Sequence, residues 1–168
     1  MDPDPEPLFL FLTSIDFLTV INAIVLILLL ISSALISGTE VAFFSLSQTD
    51  LNELSNEGKE ENIIVDLLEK PRKLLATILI TNNFINILIV LLFASLAETL
   101  FGDFDYKIDL YIFSVPIRFL IEIVLVTFLI LLFGEVLPKV YASRNALRFS
   151  KTMSKFINTF NIILTPYS

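Results

Sequence analysis

Apolar residues along the chain gather into three long blocks, separated by polar stretches of different character. The first block covers residues 17–47 and is broken only by Glu40, with Ile, Leu and Val alone filling its centre at 24–31. Lipid tolerates such a run and water does not, so it predicts a first membrane helix. From 48 to 73 the chain becomes soluble in character. Leu51, Leu54, Ile63, Ile64, Leu67 and Leu68 recur at helical spacing around Asn56-Glu57-Gly58, among acids and bases, which predicts a short helical hairpin at the membrane surface. The second block, 74–101, carries Thr77, Thr81, Asn82, Asn83, Asn86 and Glu98; polar groups at that depth need partners inside the protein. Residues 102–118 read as a loop holding Asp103, Asp105 and Asp109, punctuated by Pro116, and the third block covers 119–142. Beyond it Arg144, Arg148, Lys151 and Lys155 interleave with Leu147, Phe149, Met153, Phe156, Ile157 and Phe160, a basic amphipathic helix suited to lie along the interface. The apolar run before Pro166 is too short for a fourth span. The fold expected is an all-α membrane protein, with three transmembrane helices over about 17–47, 74–101 and 119–142, a cytoplasmic helical hairpin, and a juxtamembrane belt helix within 143–168.

Composition agrees and narrows the chemistry. The chain is 55% apolar with a mean hydropathy of +0.83, values of integral membrane proteins. It has no Cys and no His, so disulfides, thiolate metal sites, cysteine nucleophiles and imidazole bases are excluded and no enzyme is expected. A net charge of −7 argues against nucleic acid as a partner. The charges are unevenly placed. Asp2, Asp4, Glu6 and Asp16 precede the first span without any Lys or Arg, Lys59, Lys70, Arg72 and Lys73 lie between the first two, Lys107 and Arg118 between the second and third, and Lys139, Arg144, Arg148, Lys151 and Lys155 at and after the third. Positive charge stays on the cytoplasmic side, which predicts an acidic tail outside at 1–16, three crossings and a cytoplasmic carboxy terminus. The tail lacks the basic start of a cleavable signal. A soluble cytoplasmic module is expected beyond the belt helix, with this chain a fragment of a longer protein.

The informative residues are polar ones inside the spans, because a carboxylate near the bilayer centre costs about 2.5–3.5 kcal/mol or more unless paired, hydrated or coordinating. Glu98 and Glu122 fall near the expected outer ends and read as solvated helix ends. Glu40 and Glu135 fall in the cytoplasmic halves of spans one and three. Ser33, Ser37 and Glu40 share one helical face, and Asn82 and Asn86 repeat the same spacing in span two, with Thr77 and Thr81 in nearby turns. In span three, Pro138 has no N–H to give to the carbonyl of Gly134, four residues earlier. A freed carbonyl, the Glu135 carboxylate, serine hydroxyls and amide oxygens form an all-oxygen set that suits a hard cation rather than zinc or copper. Singly, Ser and Gly also serve close packing, Asn interhelical hydrogen bonds, and Pro a kink.

The stretches Ser-Gly-Thr-Glu-Val-Ala at 37–42, Leu-Leu-Ala-Thr at 74–77 with Thr-Asn-Asn-Phe-Ile-Asn at 81–86, and Gly-Glu-Val-Leu-Pro-Lys at 134–139 resemble, in order and separation, the membrane domain of the cyclin M and CorC group of magnesium transport proteins, which includes hemolysin-related proteins. The acidic, Pro-rich start and Phe-rich spans resemble its gliding-motility-associated branch. The resemblance implies a homodimer in the bacterial inner membrane, a belt helix around each bundle, a cytoplasmic CBS module, and magnesium export coupled to sodium. Carried over by position, Ser37, Asn82, Asn86 and Glu135 are metal ligands; Ser33 and the Gly134 carbonyl join them on the geometric argument above. Lys139 and Glu40 match motif positions too, where a structural ion pair suits them equally. The alternative function is a non-transporting membrane anchor or regulatory subunit of a larger gliding or secretion-type assembly, with other membrane proteins as partners.

Overall fold

In the computed structural model the described residues are 16–57, 59–101, 107–110 and 113–163. The acidic tail before Asp16, Gly58, Gly102, Asp103, Asp105 and Pro166 lie outside them. Helix α1 spans Phe17–Phe44, α2 Gln48–Glu57, α3 Lys59–Glu69 and α4 Pro71–Phe101; strands β1 (Lys107–Leu110) and β2 (Phe113–Pro116) follow. The third membrane crossing is composite: α5 (Ile117–Leu129), a π-helical segment (Ile130–Val136) and α6 (Leu137–Arg144). The belt helix is α7, Ala146–Ile163.

Local chemistry sets these limits. Asp16 caps α1, its carboxylate accepting from Thr19 N at 2.9 Å and Thr19 Oγ1 at 2.5 Å. The apolar block continues to 47, but α1 ends at Phe44: Ser45 N–H closes on the Val41 carbonyl at 3.0 Å, and Ser47 starts a new helix. Asp50 N–H donates to Ser47 Oγ at 3.2 Å while Ser47 N–H and Oγ donate to Asp50 Oδ2 at 2.8 and 2.6 Å, a reciprocal capping box. Proline opens α4, where its missing N–H costs nothing, so the second crossing begins at Pro71, ahead of the apolar block. The expected loop at 102–118 differs most. It holds an antiparallel pair, Lys107 opposite Pro116 and Leu110 opposite Phe113. Ile108 and Leu110, then Phe113 and Val115, do alternate with period two, a signal too short to weigh against the turn residues around it.

Among the described residues three helices are long and apolar enough to cross a membrane, and only 17% of the most apolar window of the first and third is buried within the protein, against 33% for the second. The remaining apolar surface is what a bilayer covers. Helix α1 packs against α4, the π segment, α6 and α7, while α7 also packs on α3 and α4. The core runs through Ile36, Phe43, Leu54, Ile64, Leu74, Ile89, Met153 and Ile157, so the hairpin and belt are built into the same packing as the spans.

Candidate metal site

Ser33 on α1 is completely buried. Its Oγ lies 2.8 Å from Asn86 Oδ1 and 3.2 Å from Asn82 Oδ1, both on α4. A serine hydroxyl has one proton, so it serves one of these carbonyl oxygens at a time and leaves the other facing it with no proton between them. On the third crossing, a Cβ placed on Gly134 would stand 2.9 Å from Ser33 Oγ, closer than packed atoms allow. Glycine is what lets the π segment reach the hydroxyl. Oxygens and backbone from all three crossings thus meet around Ser33.

The backbone of the third crossing is short of donors at the same place. Leu137 N–H reaches back to the Leu132 carbonyl, so Phe133 loses its α-helical donor, and Pro138 has no N–H to give Gly134. A π turn is a usual way to fit such a proline, because the wider turn moves the carbonyl that its ring would strike. The sequence pointed to a broken helix here but not to its form.

Ser37, one turn along α1, is buried, and its Oγ has no hydrogen-bond partner among the described residues. An unsatisfied buried hydroxyl of this kind costs about 1–3 kcal/mol. Glu135 is half-buried, and among the described residues its carboxylate makes no hydrogen bond or ion pair, including with the Ser33–Asn82–Asn86 cluster. The structure therefore brings Ser33, Asn82, Asn86 and Gly134 into contact, and leaves Ser37 and Glu135 beside them without partners.

Several other polar groups in and beside the spans have partners. Lys139 Nζ pairs with Glu40 Oε2 at 3.1 Å, tying α6 to α1. Thr39 and Thr81 donate to the carbonyls of Leu35 and Thr77, four residues earlier, at 2.6 and 2.8 Å, a common way for a hydroxyl to be satisfied within its own helix. Thr77 Oγ1 donates to Asn161 Oδ1 at 3.2 Å, joining α4 to the belt. Glu122 pairs with Arg118 at 2.5 Å, and Glu98 is exposed. Among the described residues no cluster of three or more acidic side chains could hold a metal, so an ion at Ser33 would be held mainly by neutral oxygens.

Sequence reasoning missed the role of Gly38. A Cβ there would stand 2.8 Å from Phe149 Cζ and 3.4 Å from Ala142 Cβ. The glycine of the 37–42 stretch lets the belt helix press a phenyl ring onto α1, and no local signal in the sequence points to that ring.

A three-crossing membrane domain with a belt helix and an oxygen-lined contact between its spans is the class this architecture defines. The chain belongs to the cyclin M transmembrane N-terminal domain family, whose model matches residues 24–168. It is also similar to a UPF0053 protein of Haemophilus influenzae, 33% identical over 144 residues covering 85% of this chain and 31% of that protein. The UPF0053 inner membrane protein YfjD of Escherichia coli is 29% identical over 135 residues, 80% of this chain and 28% of that protein. The chain spans less than a third of the length of either relative.

Proposed function

We propose that this chain is the membrane domain of a divalent-cation transporter, with magnesium its foremost substrate and sodium a coupling ion, working as a homodimer in a bacterial inner membrane and exporting the ion. One observation carries the reading: the Ser33 hydroxyl, with its single proton, faces two amide oxygens, of Asn82 and Asn86, at membrane depth, against a backbone segment whose carbonyls at 133 and 134 lack their α-helical donors. A cation supplies what is missing there. Ser33, Ser37, Asn82, Asn86 and the Gly134 carbonyl would offer neutral oxygens, and Glu135 the charge, since a half-buried carboxylate in an apolar span needs a counter-charge. Magnesium prefers six oxygens and parts reluctantly with its water, so several waters would complete its shell. The inward carboxy terminus is supported by the basic residues at and after the third span, and the inner membrane by the Escherichia coli relative, an inner membrane protein by name.

The test is thermal unfolding of the detergent-purified chain against magnesium concentration, with calcium and sodium as controls. A ligand that binds only the folded state raises stability by mass action. Saturable stabilisation by magnesium, abolished in Asn82→Ala and Glu135→Ala, is the expected result. An equal shift in all three proteins, or none in any, would remove the site and leave the anchoring role.

A further inference from the structure

Where the third crossing gives way to the belt helix, α1, α6 and α7 line a crevice of about 260 Å³ whose residues include none of the candidate metal ligands. We propose that this crevice binds a phosphate group, supplied in the bilayer by the headgroup of an anionic phospholipid. Its lining includes Arg148, Asn145 and Tyr141 but no acidic side chain. Arg148 is exposed and unpaired with any carboxylate among the described residues, which leaves its planar fork available for two phosphate oxygens at once. Tyr141 adds a phenol without a hydrogen-bond partner among the described residues, and Asn145 uses one amide hydrogen on the Tyr141 carbonyl at 3.2 Å, keeping the other. Phe149, seated against Gly38 and edge-on to Tyr141 with ring centres 6.4 Å apart, holds the crevice in shape.

The apolar surroundings favour a lipid as the source. Leu35 lines the crevice, and Ile31 and Leu28 continue its face along α1; Tyr141 lines it from α6, and Leu137 and Phe133 continue that face. All six are exposed. Two open apolar stripes thus lead from the charged pocket towards the bilayer interior, as acyl chains require and a free phosphate does not. The volume falls just under the range of about 300–1,000 Å³ usual for drug-sized ligands, which suits a headgroup with its chains outside.

The test is native mass spectrometry of the purified full chain in neutral detergent, titrated with phosphatidylglycerol, with phosphatidylcholine, whose phosphate is balanced by its own ammonium, and with inorganic phosphate. The expected result is a preference of about tenfold for phosphatidylglycerol, lost in Arg148→Gln and partly kept in Arg148→Lys, which retains charge without the fork. Arg144→Gln removes the same charge four residues earlier, at the end of α6 and outside the crevice, and should behave as wild type. Binding of inorganic phosphate alone, dependent on Arg148 and not improved by lipid, would keep the anion site and place its ligand in solution. Equal losses in Arg144→Gln and Arg148→Gln, or no loss in Arg148→Gln, would overturn the site and reduce it to the diffuse charge of the belt.

Discussion

Gly38 and Gly134 each bring a helix against α1 or from it at the limit of contact, and the partners are opposite in kind. At Gly38 the neighbour is the far edge of a phenyl ring; at Gly134 it is a hydroxyl shared between two amide oxygens. The first contact is apolar and depends on shape alone. The second also depends on where one hydroxyl proton goes, because two amide oxygens face it. The ring of Phe149 is the far end of a side chain that borders a crevice and can give by a few tenths of an ångström, whereas Ser33 cannot turn away without abandoning Asn82 and Asn86 together. Equal crowding therefore has unequal consequences.

The largest effect should come from Gly134→Ala. Its methyl has no room beside Ser33 Oγ, and overpacking of this kind costs about 2–3 kcal/mol; thermal unfolding should show that loss together with loss of magnesium stabilisation. A loss well under 1 kcal/mol with the magnesium effect intact would mean that the polar contact yields as easily as the apolar one. Gly38→Ala should cost less, about 1 kcal/mol, and leave the magnesium effect in place. Amide exchange over 146–157 should quicken as the belt loosens, and adding Phe149→Leu should recover part of the loss, because residues in contact are not additive. The smallest effect should come from acid, which touches neither glycine. The Ser47 hydroxyl, and then its backbone N–H, hold the Asp50 carboxyl below the ordinary aspartate range. The stability this contributes is present above the unfolded value, about pH 3.9, and disappears as pH falls through the depressed folded value. Protection of the amides over 48–57, taken relative to their intrinsic exchange rates, should fall in that window in wild type and stay flat with pH in Asp50→Asn.

The two contacts also differ in how far the sequence reveals them. Ser33, Asn82 and Asn86 are conspicuous because polar side chains in apolar runs need partners, and their spacing of four puts each pair on one helical face. Glu40 and Lys139 carried two readings, and the structure makes them an ion pair. The membrane crossings follow from length and hydropathy alone. Gly38 is different: its use depends on a ring more than a hundred residues away, and nothing local announces that. The π segment is hidden for a related reason. Pro138 shows that the α-helical ladder must break, yet whether the chain bends, opens or widens depends on what packs against it, and here Ser33 packs against Gly134.

The widened turn has a rotational consequence for the rest of the third crossing. Each residue of an α-helix turns the chain by about 100°, so accommodating an extra residue within one turn resets the angular phase of everything that follows. In an uninterrupted α-helix, Lys139 would point about a quarter-turn away from Glu40, and Tyr141 would turn into the buried direction that Ala142 now takes. The segment Ile130–Val136 acts as a phase shifter within a single crossing: the half before it is timed to the bilayer and α4, the segment itself to the oxygen cluster, and the half after it to α1.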